Sequence, residues 1–456
     1  MFKQPISSIT FYTVTGISLA GYILLGYSTE RTNFPQLIVL FGLLFGGYFY
    51  LTTVNLNESL IKQSIAVAIL FRLSLLFMMP NLSDDYFRFV WDGRLSAHGI
   101  NPFIVMPSDF INSPEATATG LDYKLFSSMN SQGYYTIYPP VLQFVFFVSA
   151  KLFSSNILGS VIVMRTFIIA AEIGSIFLLS SILKKWNLPS KNTLFYALNP
   201  LVIMELTGNL HFEALMILFL LLAVFLLMKE QRTLSAIAFS LAICSKLLPV
   251  MLLPLLLKRI GLRKSMRFYF ICGITTVLLF VPFIDKEFIG NIFSSIGLYF
   301  HSFEFNASIF YIVRWAGFET LGYDVIRKAG AILSLIAMAG IFSVAVFQKG
   351  KDISSLFNAM LFCLTIYFAF ATIVHPWYIS TLVAFSVFTS WRFPLVWSGL
   401  IMLTYFTYRS VPYSESLLLV AIEYLFLCGF MAYEWNGSRK QTLCKNYNLG
   451  NGAKNS

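Results

Sequence analysis

The stretch Asn81-Leu-Ser-Asp84-Asp85-Tyr-Phe-Arg88-Phe-Val-Trp-Asp92-Gly-Arg94, followed by His98-Gly-Ile-Asn101-Pro102-Phe103, comes directly after an apolar segment ending at Met78-Met79-Pro80. Its carboxylates are therefore set at a membrane surface. Continued as helix, it places Asp84, Arg88 and Asp92 four apart on one face, with Asp85 beside them. Two adjacent acids add nothing to anchoring, and burying either without a partner is costly. Two readings stand at this point: acidic caps on a solvated loop helix, or an organised site. The rest of the chain decides between them.

Of the 456 residues, 57% are hydrophobic and only 12% charged, against about 25% charged in soluble domains. Aromatics make up 17%, with 47 Phe. This is the composition of an all-α polytopic membrane protein, and it excludes a soluble fold. The net charge of +11 raises the question of nucleic acid. The basic residues, however, gather in short loops between apolar segments, the mark of membrane orientation. Membrane lipids with anionic head groups are thus the expected partner, and no nucleic acid is. Cys244, Cys272, Cys363, Cys428 and Cys444 lie in apolar segments or the tail without metal-ligand spacing. Neither a disulfide framework nor a zinc site is expected. From Lys3 the chain runs into an uncharged stretch of spanning length with no small-residue cleavage site, so it reads as a span and not as a leader.

Spans are expected over 6–26, 35–54 and 60–79, the third carrying Arg72, and then over 158–183, 193–208, 212–228 and 233–257. Further spans follow over 268–284, 329–348, 354–374, 377–391, 393–410 and 416–435, for a bundle of about 12–14 helices. The non-spanning region 80–156 is much too long for an ordinary connection. Within it, Tyr138-Pro139-Pro140 leads into a short apolar run, Val141 to Phe153, that lies along the interface or re-enters it. Lys246, Pro249 and Pro254 interrupt 233–257, which therefore reads as two short helices meeting at the far side. The region 285–328 is again polar in character. After Trp435 the chain becomes a short, loose, polar tail. Three parts result: two N-terminal spans (1–60), a main helical module (61–435) with its outer loop at 80–156, and the tail (436–456).

With 233–257 counted as two passes, one side of the membrane receives Lys3, Lys62, Lys184, Lys185, Lys191, Lys229 and Arg232. The same side takes Lys258, Arg259, Arg263, Lys264, Arg267, Lys349, Lys351, Arg392, Arg439 and Lys440. Positive residues mark the cytoplasm. Both termini then lie inside, while Asp84-Asp85, the segment 209–213, Lys246 and His375-Pro-Trp-Tyr378 all face outward. Convergence of the polar outliers on one side favours an organised extracytoplasmic site over scattered caps.

Outside the membrane there is no supply of nucleoside triphosphates, and the chain has no GxxxxGK[ST] or GxGxxG to cradle one. A transferase there needs a pre-activated donor, such as one carried by a lipid phosphate. Asp84 or Asp85 is the candidate general base for an acceptor hydroxyl, the other acid serving to position, and direct displacement inverts the sugar carbon. Arg88 and Arg94 either hold a phosphate or neutralise Asp92. Glu205, Asn209, His211 and Glu213 form a second cluster. His211 and Glu213 supply only two metal ligands, so no metal or other cofactor is expected. Lys246 either snorkels or pairs, as a lysine between apolar helices usually does, or binds a lipid phosphate where it breaks a span, and the phosphate reading is favoured. His375 and Tyr378 stand at the outer end of a span, with Trp377 read as an aromatic-belt residue. Arg72, Arg165 with Glu172, and Arg409 read as ion pairs inside the bundle.

Ser83-Asp-Asp85-Tyr-Phe-Arg88, Trp91-Asp-Gly-Arg94 and Gly99-Ile-Asn-Pro-Phe103 resemble the first outer loop of the GT-C superfamily, the polytopic glycosyltransferases using polyprenyl- or dolichyl-phosphate mannose. Tyr138-Pro-Pro140 is similar to the motif that opens a juxtamembrane helix in that family. Asn209-Leu-His-Phe-Glu213, Ser245-Lys-Leu-Leu-Pro249 and His375-Pro-Trp-Tyr378 look like its later signatures. The resemblance implies inverting transfer of a sugar, most often mannose, from a lipid-phosphate donor to a glycan, lipid or other hydroxyl acceptor. It places the base on Asp84-Asp85. Glu213 stands where relatives often carry Asp, and the two spans before residue 60 are an addition. The rival classes are a flippase of lipid-linked saccharides and a polymerase. Transporters favour mirrored halves with broken helices at matching depths, which this chain lacks, and a polymerase does not need an acid pair directly after a span.

Overall fold

The computed structural model describes residues 6–301 and 303–452. Lys3 lies outside them, and the side chains of Arg439, Lys440 and Cys444 are likewise not described. The chain is 74% helical, and no strand occurs among the described residues. Two apolar helices, α1 (Ser8–Ser28) and α2 (Phe34–Thr53), form the N-terminal hairpin, and α3 (Glu58–Ser74) follows. The outer loop holds α4 (Asp85–Ala97), the short α5 (Pro107–Phe110), α6 (Pro114–Ala118) and α7 (Tyr123–Ser128), and then α8 (Pro140–Leu152).

Next comes α9 (Ile157–Lys185), then α10 (Leu194–Ala197), α11 (Glu213–Met228), α12 (Arg232–Ile243), α13 (Leu255–Ile260) and α14 (Leu262–Phe280). Region 285–328, read as a polar connection, contains α15 (Phe288–His301) and α16 (Ile309–Leu321). The chain closes with α17 (Ile326–Phe347), α18 (Ile353–Phe370), α19 (Ile379–Ser386), α20 (Phe393–Leu400) and α21 (Leu417–Gly452). The last helix runs on through the stretch expected to be loose.

Seven of the described helices are long and apolar enough to cross a membrane, or eight with the pair Val202–Gly208 and Glu213–Met228, which bends by 111°. The protein is therefore a multi-pass, all-α membrane protein. Hydropathy alone divides it differently, because several expected spans are shorter or broken helices. The stretch 233–257 is one: α12 stops at Ile243, Lys246 lies in a turn, and a 3-10 segment (Leu248–Leu252) leads to α13. Proline at 249 and 254 removes backbone donors there, so an unbroken helix cannot form.

The bundle has two chemically distinct ends. At one, Lys191 donates to the Val54 carbonyl, Lys185 to Met228 O (3.0 Å) and Lys258 to Val346 O (2.9 Å). Arg392 lies over the Phe195 ring there, and its backbone N–H donates to Glu434. The basic loops thus collect at a single end. At the other, Tyr27 OH donates to Ser74 O, Asn81 to Gly26 O and Asn101 to Phe283 O.

Ion pairing inside the bundle differs from expectation in its partners. Glu172 pairs with Arg72, not Arg165: Arg72 Nε and Nη2 donate to Glu172 Oε2 at 3.0 and 2.8 Å, and Tyr196 OH donates to Oε1. Arg165 spends its guanidinium on the carbonyls of Leu76, Met78, Thr207 and Gly208 (2.5–2.9 Å). All four belong to the broken ends of helices, where carbonyls lack intrahelical partners. Arg409 is exposed and lies over the Phe406 ring at 3.7 Å, so it forms no pair inside the bundle. Arg165 in this way ties the approach to Asp84 to the approach to His211.

Candidate active site

The acid-rich end is built on α4, α8 and the breaks in the later helices. Asp84 immediately precedes α4 without a side-chain capping bond, and the helix's buried face carries Arg88, Asp92 and Arg94. Arg88 Nε donates to Asp92 Oδ1 at 2.8 Å, and its Nη1 donates to the carbonyls of Ser131 and Tyr134. Asp92 Oδ2 in turn accepts from Thr136 Oγ1 (2.5 Å) and Gln143 Nε2 (3.1 Å). Arg94 Nη1 donates to Gly120 O at 2.5 Å. Arg88 is thus paired with Asp92, while its Nη2 is buried without a hydrogen-bond partner. Both arginines fasten the outer loop to α4. Tyr138 meets the rings of Phe89 and Phe146 edge-on, in the same packing. Gly93 is required here: a Cβ on it would lie 2.4 Å from the Phe146 carbonyl oxygen of α8. The first residues of α8 reach the Lys246 turn, since Val141 N–H donates to Cys244 O.

Asp85 faces a second element. The segment Val202–Gly208 is a π-helix, and Leu210 beyond it sits at φ +62°, a left-handed conformation unusual for leucine. That reversal aims His211 back at Glu205 and Asp85. His211 Nδ1 lies 2.9 Å from Glu205 O, which can only accept, so Nδ1 carries the hydrogen. Its Nε2 is buried without a hydrogen-bond partner, 3.9 Å from Asp85 Oδ2. An oxygen between the two reaches both at about 2.8 Å. Glu205 is held by Tyr405 OH (2.6 Å) and Asn209 Nδ2 (3.3 Å).

The break before α19 completes the cluster. Trp377 is sandwiched between two imidazoles, its ring centroid 3.6 Å from His211 and 4.3 Å from His375, nearly parallel to both. It is not an aromatic-belt residue facing lipid. His375 Nδ1 is buried with no partner. Burial, helped by Lys246 and His211, pushes the His375 imidazole down to about 3, so the ring is neutral at physiological pH. Lys246 pairs with Glu213 and sits 4.3 Å from the centre of the Tyr378 ring, which His375 meets edge-on. Asp85, His211, Trp377, His375, Tyr378, Lys246 and Glu213 are therefore one continuous set of contacts.

Asp84 turns to the N-terminal hairpin. Arg31, in the turn between α1 and α2, lies 2.5 Å from Asp84 Oδ2, donates to Tyr413 OH (2.7 Å) and rests over the Tyr408 ring. Burial alone would lower the Arg31 pKa, but the neighbouring Asp84 carboxylate outweighs it and the net shift is upward. Sequence reasoning missed Arg31, Tyr405 and Tyr413. The available signal for Arg31 was an arginine in a five-residue turn at the end that the charge pattern assigns to acids. Among the described residues, no group of three or more His, Cys, Asp or Glu is placed to hold a metal ion.

The fold and the site together define a many-helix membrane protein whose carboxylates, imidazoles and a lysine close on one another at one end. The family model described as alpha-(1->6)-mannopyranosyltransferase, N-terminal domain, matches residues 18–260, and the chain belongs to this GT-C-type family. The matched segment contains Arg31, Asp84, Asp85, His211, Glu213 and Lys246, while His375 lies beyond it. No curated protein matches the chain.

Proposed function

We propose that this protein transfers mannose from a polyprenyl-phosphate donor to a glycan hydroxyl on the extracytoplasmic side, inverting the anomeric carbon, with Asp85 as general base. The observation that carries this reading is the continuous cluster from Asp85 through His211, Trp377 and His375 to Lys246, set opposite the basic loops. Positive loops mark the cytoplasm, so the cluster faces outward, where a lipid brings the activated sugar.

In the reaction, the acceptor hydroxyl donates to Asp85 and loses its proton to that carboxylate as its oxygen forms the new bond to the sugar C1. The bond from C1 to the phosphate oxygen breaks, and polyprenyl phosphate leaves with the electron pair. Lys246 and the Nδ1 side of His375 face that phosphate. An α-(1→6) product formed with inversion calls for a β-linked donor and a C6 hydroxyl acceptor. Arg31 divides the labour of the two acids: it holds Asp84 as a positioning group and leaves Asp85 to His211.

Two results test the assignment of roles. Lys246→Gln raises KM for polyprenyl-phosphate mannose by about tenfold or more, the worth of one charged hydrogen bond, while Lys246→Arg keeps most of the affinity. An unchanged donor KM in Lys246→Gln ends the phosphate role. Arg31→Gln releases the Asp84 carboxylate that Arg31 holds, so kcat falls by about tenfold with donor KM unchanged, and Arg31→Lys restores it. An equal loss in Arg31→Lys, with both variants melting earlier, would mean that Arg31 only supports the hairpin.

A further inference from the structure

We propose that the basic end carries a second, separate binding site, for the headgroup of an anionic glycerophospholipid. The site is a groove of about 240 Å³ between the end of α13 and the α17–α18 turn, lined by Lys258, Arg259, Gln348, Lys349, Gly350 and Lys351. Two stretches some ninety residues apart build it, and they are locked together. Arg259 Nε donates to Gln348 Oε1 at 3.0 Å and its Nη2 to Ser355 Oγ at 3.1 Å, while Gln348 Nε2 donates to Leu255 O at 2.9 Å. Lys258 Nζ donates to Val346 O from the same rim. The walls are thus held in place before any ligand arrives.

The charge balance calls for an anion. Lys258, Arg259, Lys349 and Lys351 give four cations, against one adjoining carboxylate, Asp352, for a formal +3 (4 − 1). Asp352 is occupied elsewhere, capping α18 through Ser355 N–H at 2.9 Å. Burial lowers Arg259 to about 10, with Asp352 opposing, so it is still charged at neutral pH. Gly350, at φ +84°, turns the chain without a side chain; a Cβ there would lie 2.9 Å from Asp352 Oδ1.

What selects a lipid over a soluble phosphate is the surface beside the cations. Val346 is 60% exposed, Phe347 74% and Leu262 69%, an apolar apron suited to acyl chains directly next to the groove. A phosphodiester in the groove and two chains on that apron satisfy both halves at once. This inference stands apart from the transferase reading, since it concerns the opposite end of the bundle.

The test uses the full-length protein in phosphatidylcholine membranes with trace spin-labelled phosphatidylglycerol, whose preference for the protein is measured against spin-labelled phosphatidylcholine. Lys258→Gln/Lys349→Gln/Lys351→Gln is compared with Lys184→Gln/Lys185→Gln/Lys229→Gln, which removes the same charge from other basic loops. The groove variant loses about fivefold or more of the phosphatidylglycerol preference, because its cations converge on one headgroup instead of acting as a diffuse surface charge, and the control loses less than twofold. The milder Lys349→Gln/Lys351→Gln, confined to exposed side chains, loses an intermediate amount and guards against misfolding. Equal losses in groove and control variants, or no preference in the wild type, overturn the site as general surface attraction. Displacement of the labelled lipid by millimolar inorganic phosphate, with phosphate raising the melting temperature of the control variant but not of the groove variant, overturns the lipid assignment in favour of a soluble anion.

Discussion

Asp85→Asn abolishes most sugar transfer, lowering kcat by about 10²- to 10⁴-fold, the usual worth of a positioned general base, while the protein remains folded and membrane-inserted. The amide keeps the shape and still receives the Asn130 side chain, which now contacts Asp85 Oδ1 at 3.1 Å. What it lacks is a lone pair basic enough to take the acceptor proton. Asp84→Asn is predicted to be milder: its carboxylate is engaged by Arg31 and acts on the reaction only through its neighbour. Donor KM stays within about threefold in Asp85→Asn, because uniform binding and transition-state binding are separable in this way. The assay is release of polyprenyl phosphate from purified variants, with melting measured in parallel. Full activity in Asp85→Asn would end the assignment of the base to Asp85.

Glu172→Gln costs about 3–5 kcal/mol of stability, the penalty for breaking a buried ion pair from one side. Both side chains of the Arg72–Glu172 pair are wholly inaccessible, so the stranded guanidinium has no water to turn to. Its remaining partners are the carbonyls of Ala68 and Ala197 (2.9 and 2.7 Å), which do not carry a full charge. Tyr196 simultaneously loses the anion to which it donates. The expected result is a sharp loss of thermal stability in detergent with kcat per folded molecule unchanged, since the pair lies outside the contact set at the active end. The double variant Arg72→Met/Glu172→Leu recovers part of the loss, because two apolar side chains leave no unpaired charge behind. Equal melting of Glu172→Gln and wild type would show that the pair contributes nothing net.

Much of this architecture was legible before any coordinates. Lys246 with Pro249 and Pro254 announces a broken span by local chemistry alone, and the break is there. The separation of basic loops from the Asp84–Asp85 end follows from charge order along the chain. What local pattern cannot encode is pairing over distance. Arg72 finds Glu172 one hundred residues away while Arg165, nearer in sequence, takes four carbonyls instead. The π-helix at Val202–Gly208 looked like an ordinary apolar span because hydropathy is blind to backbone register. Trp377 matched the expectation for a membrane-interface aromatic on its neighbours in sequence, and only the fold brings two imidazoles onto its faces. Arg31 belongs to spans whose purpose the sequence does not show, and only the fold brings it to Asp84.

On the proposed function, a lipid phosphate, not a nucleotide, delivers the sugar to the Asp85–Lys246 cluster. The most direct measurement reconstitutes the wild-type protein in nanodiscs and offers it either β-linked polyprenyl-phosphate mannose or GDP-mannose, with an α-mannoside acceptor, while counting released polyprenyl phosphate. The account predicts stoichiometric release with formation of an α-(1→6) bond from the lipid donor, none from the nucleotide donor, and none in Asp85→Asn. Turnover of GDP-mannose, or lipid translocation with no release of polyprenyl phosphate, would contradict it.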